Sequence, residues 1–187
     1  MLNKSPWQTL STQKIYQNPW IKVREDKVIT PAGTQGIYGV VEFQNRAIGV
    51  IPIDKDGNTI LVGQYRYPLE QYSWEIPEGG CPEGETAESC AHRELTEETG
   101  LIANKLTPLM TMHLSNSCSD EVAHVFIATE LSQGQTNFDE TEDIKIKKLA
   151  LDEAIEMVHS SQITDAISVA ALLKVHVLKL SGALANT

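Results

Sequence analysis

The sequence predicts an α/β protein in which helices pack on the faces of a mixed sheet, and three observations carry that prediction. Segments rich in β-branched residues recur along the chain, separated by turn residues. One helix with a cap signal at each end interrupts them near the middle. Two further helical stretches close the chain. With 187 residues and 41% hydrophobic content, the chain is long enough for one domain with a substantial core.

The elements follow in order. Residues 20–43 read as a hairpin: WIKVREDKVIT alternates, Pro31-Ala32-Gly33 turns the chain, and GIYGVVEF returns. Residues 46–53 (RAIGVIPI) and 59–67 (TILVGQYRY) form a second pair, joined by the turn residues Asp54-Lys55-Asp56-Gly57-Asn58. A short strand at 73–76 leads into a loop at Gly79-Gly80. Thr86 suits the N-cap of the helix that follows, and Gly100 suits its left-handed C-cap. Strands are expected at 106–114, 121–131 and 144–149. Helices are expected at 152–159 and 164–180, the last with Ala166, Ile167, Val169, Ala170, Leu173 and Val177 at helical spacing.

The central helix has an unusual charge pattern. At about 100° per residue, Ala87, Cys90, Ala91 and Leu95 share one broad face. Glu94, Glu97 and Glu98 point into that same half, while Glu88, Ser89, His92, Thr96 and Thr99 take the solvent side. A solvated acidic helix would place its glutamates opposite the alanines. Several like charges turned toward the protein body are costly unless cations neutralise them. Oxygen-only ligands at i, i+3 and i+4 suit hard divalent ions such as Mg2+.

Composition excludes some partners. The net charge of -10 argues against nucleic acid, because phosphate backbones are bound by basic surface. A phosphorylated small molecule stays open, since a metal supplies positive charge locally. The three cysteines, Cys81, Cys90 and Cys118, have no C-x-x-C spacing, so neither a zinc motif nor a disulfide framework is expected. Cys90 reads as a small core residue. The opening MLNKSPWQTL lacks the apolar stretch of a signal peptide, and no run approaches the length of a membrane span. The expectation is a soluble, cytoplasmic protein with no membrane partner.

Gly79, Glu85, Arg93, Glu94, Leu95, Glu97, Glu98, Gly100 and Leu101 fill every fixed position of the Nudix box, so the chain resembles the Nudix hydrolases. The resemblance implies the Nudix-fold α/β/α sandwich. It further implies the ADP-ribose pyrophosphatase and nucleoside diphosphate sugar hydrolase branch, which carries an extra N-terminal antiparallel β segment that commonly builds a dimer by exchange. Residues 1–45 look like that segment and residues 46–187 like the hydrolase domain, so a homodimer is expected.

The implied activity is Mg2+-dependent hydrolysis of a nucleoside diphosphate sugar, with Mn2+ as a substitute ion. Glu94 and Glu98 are the first expected metal ligands, one helical turn apart. By resemblance the backbone carbonyl of Glu78 completes the site, and Glu85 holds a further ion or orients others through water. Glu97 is the next expected metal ligand after Glu94 and Glu98, and the Arg93 fork is expected to fix a box carboxylate. A second acidic run, Phe138-Asp139-Glu140-Thr141-Glu142-Asp143-Ile144, is by composition a solvated loop. In similar pyrophosphatases a loop of this spacing supplies the base, so Glu140 is expected in that role with Glu142 second. General-base catalysis of this kind is worth about 10²–10⁴-fold.

Substrate selection is expected elsewhere. Arg66 matches an arginine that contacts the diphosphate, and Glu75 a carboxylate near the metals or terminal ribose. Trp20 is the leading candidate to stack on a base, ahead of Tyr16, Tyr38 and Arg46. Ser119 and Asp120 are candidate contacts from an opposite wall. One departure widens the implied range. Many ADP-ribose pyrophosphatases carry a proline downstream of the box, and this chain has His113-Leu114-Ser115-Asn116-Ser117 there. ADP-ribose and GDP-mannose are both within the implied class. Two alternatives stand beside it: a pyrophosphatase for a dinucleotide or nucleoside triphosphate, and a non-catalytic nucleotide-sensing module.

Overall fold

The computed structural model describes residues 4–134 and 143–186. The chain divides into two compact units. The first comprises residues 1–46 and 113–122; the second comprises residues 47–112 and 123–187.

The first unit is built on an antiparallel sheet of β1 (Gln8–Gln17), β2 (Ile21–Ile29) and β3 (Gln35–Phe43), in that order. β2 and β3 form the hairpin expected from their alternation, and Gly33 turns it with φ of 81°. β1 was not singled out by pattern: QTLSTQKIYQ is exposed along its whole length and has no buried face to impose a period. Residues 113–122 are stitched to β3. Val41 N donates to Cys118 O at 2.8 Å, Phe43 N to the Asp120 carboxylate at 2.8 Å, and the Tyr38 hydroxyl to Ser117 O at 2.6 Å.

The second unit holds two sheets and three helices. β4 (Arg46–Pro52), β5 (Asn58–Arg66), β6 (Gln71–Glu75), β7 (Glu78–Cys81), β8 (Leu101–His113), β9 (Val122–Gln133) and β10 (Lys145–Ala150) supply the strands. One sheet has the order β7-β4-β9-β8, with β4 and β9 parallel. The other is antiparallel, in the order β10-β5-β6. The helices are α1 (Ala87–Thr99), α2 (Leu151–His159) and α3 (Ala166–Leu180). Among the described residues, no helix is long and apolar enough to cross a membrane.

β4 shows how the layers arise. Its side chains alternate across the sheet. Ile48 and Val50 join Phe126, Ala128, Leu101 and Ala103 in the core cluster against Cys90, Ala91 and Leu95 of α1. Gly49 faces the other way, where an added Cβ would lie 2.9 Å from the Ile167 side chain of α3. Helices therefore cover both faces of a mixed sheet, the α/β/α arrangement that the element order predicted.

One pairing and two boundaries differ from the sequence expectation: β4 and β5, expected to pair across the turn at residues 54–58, lie in different sheets, β4 beside β7 and β9 and β5 beside β10 and β6. The Gly79-Gly80 loop lies within a short strand, β7, because this backbone pairs with β4. β8 starts at Leu101, directly after the helix cap, rather than near residue 106. Its early part alternates Leu101 in, Ile102 out and Ala103 in, a short period-2 signal beside a strong helix signal.

Candidate active site on the acidic face of α1

α1 is bounded as its sequence requires. The Thr86 hydroxyl accepts from Ser89 N at 3.1 Å, and Gly100 adopts φ of 70° as the C-cap. Cys90, Ala91, Glu94, Leu95, Glu98 and Thr99 form its buried face. Glu94 and Glu98 are 8% and 3% exposed, so the acidic face is turned inward as predicted. Thr99 departs from its expected solvent side. Its hydroxyl donates to Leu95 O and accepts from Leu101 N at 3.1 Å, which satisfies it locally where β8 begins.

Both buried glutamates converge on one peptide. Glu98 Oε2 accepts from Glu78 N at 2.9 Å. The Glu94 carboxyl lies against Gly79 so closely that an added Cβ would fall 2.2 Å from it. The glycine at this position is therefore a matter of space: any side chain would expel Glu94. Two carboxylates beside the Glu78–Gly79 backbone offer oxygen donors only, the set that suits a hard divalent ion.

Arg93 organises the exposed side of this group. Its Nε and Nη2 donate to the two Glu85 oxygens at 3.2 and 2.9 Å. Its Nη1 donates to Glu94 at 2.7 Å and to Glu97 at 2.9 Å, and its Nη2 also to Gly80 O at 3.0 Å. The hydrogen bonds that Arg93 donates to Glu85 raise its pKa further, so the guanidinium stays charged. One side chain thus holds three box carboxylates, and Glu85 and Glu97 enter the site as its partners.

A second cluster lies at the ends of β5 and β6. Arg66 Nε donates to both Glu75 oxygens, at 2.9 and 3.1 Å, and Nη2 contacts Glu75 and reaches Glu78 Oε1 at 3.0 Å. Glu75 is 2% exposed and pairs with its arginine as a buried carboxylate must. Oxygens of Glu75, Glu78 and Asp165 all lie within 4.8 Å of one another. Glu78 Oε2 is buried and has no hydrogen-bond partner. Burial, followed by the Asp165 and Glu75 charges, pushes the Glu78 carboxyl well above its ordinary pKa.

Asp165 was missed by sequence reasoning as a site residue. Its carboxylate caps α3 by accepting from Ser168 N at 2.7 Å, and Ser168 in turn accepts from Ile76 N at 2.9 Å. The available signal was an aspartate just before an apolar helix, which announces an N-cap. Its meeting with β6 is a tertiary fact that no local pattern carries.

The remaining predicted residues fall in the first unit or outside the description. Trp20 is 68% exposed, on an Asn18 side chain that accepts from Trp20 N and Ile21 N at 2.9 and 2.8 Å. Tyr16 is exposed on β1, and the Tyr38 hydroxyl is spent on Ser117 O. Arg46 is half-buried at the start of β4. The Ser119 hydroxyl donates to Leu114 O at 2.7 Å, and Asp120 is tied to Phe43 N. Glu140 and Glu142 lie outside the described residues.

Comparison with known proteins bears on the same residues. Residues 43–167 match the NUDIX domain, and residues 7–41 match the nucleoside diphosphate sugar hydrolase N-terminal domain. The chain is 34% identical to an ADP-ribose pyrophosphatase of Bacillus subtilis (strain 168) over 160 residues, covering 84% of this chain and 86% of the relative. It is 33% identical over 166 residues to a methanol dehydrogenase activator of Bacillus methanolicus, covering 88% and 89%. A crystal structure of an ADP compounds hydrolase shares the fold, with a TM-score of 0.86, 23% identity, and coverage of 98% of this chain and 100% of that one.

Proposed function

The chain belongs to the NUDIX family, and on that premise we propose that it hydrolyses the diphosphate bond of nucleoside diphosphate sugars with Mg2+, giving a nucleoside monophosphate and a sugar phosphate. The observation that carries the reading is the convergence of Glu94 and Glu98 on the Glu78–Gly79 peptide. These two carboxylates and the Glu78 carbonyl would hold the ion, with Mn2+ as a substitute. When bound, such an ion neutralises phosphate charge and acidifies a water molecule. Arg93 keeps Glu94, Glu97 and Glu85 in their rotamers before substrate arrives, so little reorganisation is left for turnover.

Arg66 is proposed to bind the diphosphate. Its contacts with Glu75 and Glu78 use Nε and Nη2, which fixes the plane of the guanidinium and leaves Nη1 to reach a phosphate oxygen. Glu140 is the proposed base, with Glu142 second, on the spacing of the acidic run in the sequence. Trp20 is the proposed stacking residue, supported by its exposure; Arg46, Ser119 and Asp120 are proposed as weaker substrate contacts.

The substrate class is supported by the N-terminal match and by relatives named ADP-ribose pyrophosphatase and ADP-sugar pyrophosphatase. A homodimer is supported by the exposed Leu10, Ile15, Tyr16, Trp20 and Ile37 of the first unit. A cytoplasmic setting is supported by three cysteines that form no disulfide. The test is a panel of nucleoside diphosphate sugars, dinucleotides and nucleoside triphosphates with Mg2+, products being identified by mass. ADP-ribose or another diphosphate sugar should be cleaved to a monophosphate and a sugar phosphate. Cleavage of triphosphates or dinucleotides alone would replace the substrate class, and no turnover of any diphosphate compound would sink the enzyme reading.

A further inference from the structure

Cys81 and Cys90 have no part in the hydrolytic reading, yet they meet at its edge. Cys81 ends β7 and is 1% exposed; Cys90 lies in α1 and is 0% exposed. Their Sγ atoms and a Glu85 carboxylate oxygen all lie within 4.8 Å of one another. The three donors come from a strand end, a helix and the segment between them, and the turn from β7 into α1 brings them together. Two sulfurs and one carboxylate are a poor set for Mg2+ and a good one for a thiophilic divalent ion. With Zn–S bonds of about 2.3 Å, two thiolates on one tetrahedral ion stand about 3.8 Å apart, a spacing this cluster accommodates.

A cation already occupies part of this cluster. Arg93 Nη2 donates to Cys90 Sγ at 3.3 Å, to Glu85 Oε2 at 2.9 Å and to Gly80 O at 3.0 Å. A positive group therefore sits among the donors that a metal would use, and the Gly80 carbonyl, 3.6 Å from Cys90 Sγ, stands beside them as a fourth oxygen or sulfur donor. Of the other two Arg93 nitrogens, Nε donates to the second Glu85 oxygen and Nη1 holds Glu94 and Glu97.

We propose that Cys81, Cys90 and Glu85 form a binding site for a thiophilic divalent ion of the Zn2+ or Cd2+ class, and that its occupancy switches hydrolysis off. The second clause rests on the hydrolase reading; the first does not. Binding forms two metal–sulfur bonds and one metal–oxygen bond, and both thiols release their protons to solvent with no change of oxidation state. The ion takes Glu85 from Arg93, the guanidinium is displaced, and Glu94 and Glu97 lose the group that holds them. Inhibition should therefore persist at saturating Mg2+.

The experiment uses the full chain with Cys118→Ser, which removes the exposed thiol. Cd2+ is titrated in at saturating Mg2+, while ultraviolet cadmium–thiolate charge-transfer absorption and hydrolysis are followed together. One equivalent should raise the absorption, and activity should fall in parallel. Cys90→Ala and, independently, Cys81→Ser should abolish the absorption and raise the Cd2+ midpoint for inhibition at least about tenfold, each measured against its own uninhibited rate. The pair of variants keeps the test open if one does not fold. Inhibition without the absorption, or with an unchanged midpoint in either folded variant, would place the ion at the carboxylates and overturn the site. Absorption with full activity would overturn the switch, and absorption in a protein that hydrolyses nothing would leave the site standing while the hydrolase reading fell.

Discussion

Arg93 and Glu78 show how single residues set the chemistry here. Arg93 reaches Glu85, Glu94 and Glu97 at once, which only a planar fork with several donors achieves. Arg93→Lys keeps the charge and loses the fork. Turnover of a diphosphate substrate should fall about 10–100-fold, as for other groups that orient metal ligands. An unchanged kcat would mean that the carboxylates hold themselves. Glu78 has the opposite character, a carboxyl whose folded pKa is raised above its ordinary 4.5 by burial and by Asp165 and Glu75. The stability it lends is complete below that value and is lost as pH rises toward the folded pKa, by up to about 1.4 kcal/mol per pH unit. In EDTA, Glu78→Gln should therefore gain thermal stability over the parent as pH rises above about 4.5. Parallel melting curves for the two proteins across that range would contradict the shift.

At the scale of elements, α1 and β7 form one working part. The helix presents Glu94 and Glu98, and the strand brings the Glu78–Gly79 peptide against them. Gly79→Ala should drive Glu94 aside, since no rotamer change removes a Cβ at 2.2 Å. Mg2+ affinity measured by calorimetry should weaken about tenfold or more, at a stability cost of about 1–3 kcal/mol. Normal affinity in the folded variant would remove Glu94 from the ligand set. This part was also the most legible from sequence. Thr86, Gly100 and the glutamates among the alanines fixed both the helix bounds and its inward acidic face, because caps and helical period are local signals. β1 and Asp165 were not legible for the converse reason. β1 lies exposed and carries no period, and Asp165 acquires its partners Glu75 and Glu78 only through tertiary packing.

At the scale of the whole molecule, the two units carry different kinds of residue. The second unit contains the described carboxylates and the two arginines of the candidate site. The first exposes Leu10, Ile15, Tyr16, Trp20 and Ile37, residues proposed above to serve association and ligand contact, while the second also exposes large apolar residues such as Tyr67, Leu69 and Leu180. Sedimentation equilibrium should give twice the chain mass, and a monomer at all concentrations would refute the dimer. Trp20→Ala should raise KM with little change in kcat, since stacking binds substrate and transition state alike. The substrate's identity was the least legible property from sequence, because the box addresses only the part that diphosphate substrates share.

Glu94 and Glu98 are proposed to hold the divalent ion that hydrolysis requires. The most direct test is hydrolysis of ADP-ribose by the wild type and by a Glu94→Gln/Glu98→Gln double variant, each with Mg2+ and with EDTA, beside calorimetric Mn2+ titration. Activity and ion binding should vanish together in the double variant, and EDTA should silence the wild type. Full hydrolysis in EDTA, or a double variant that still binds the ion and turns over, would contradict that assignment.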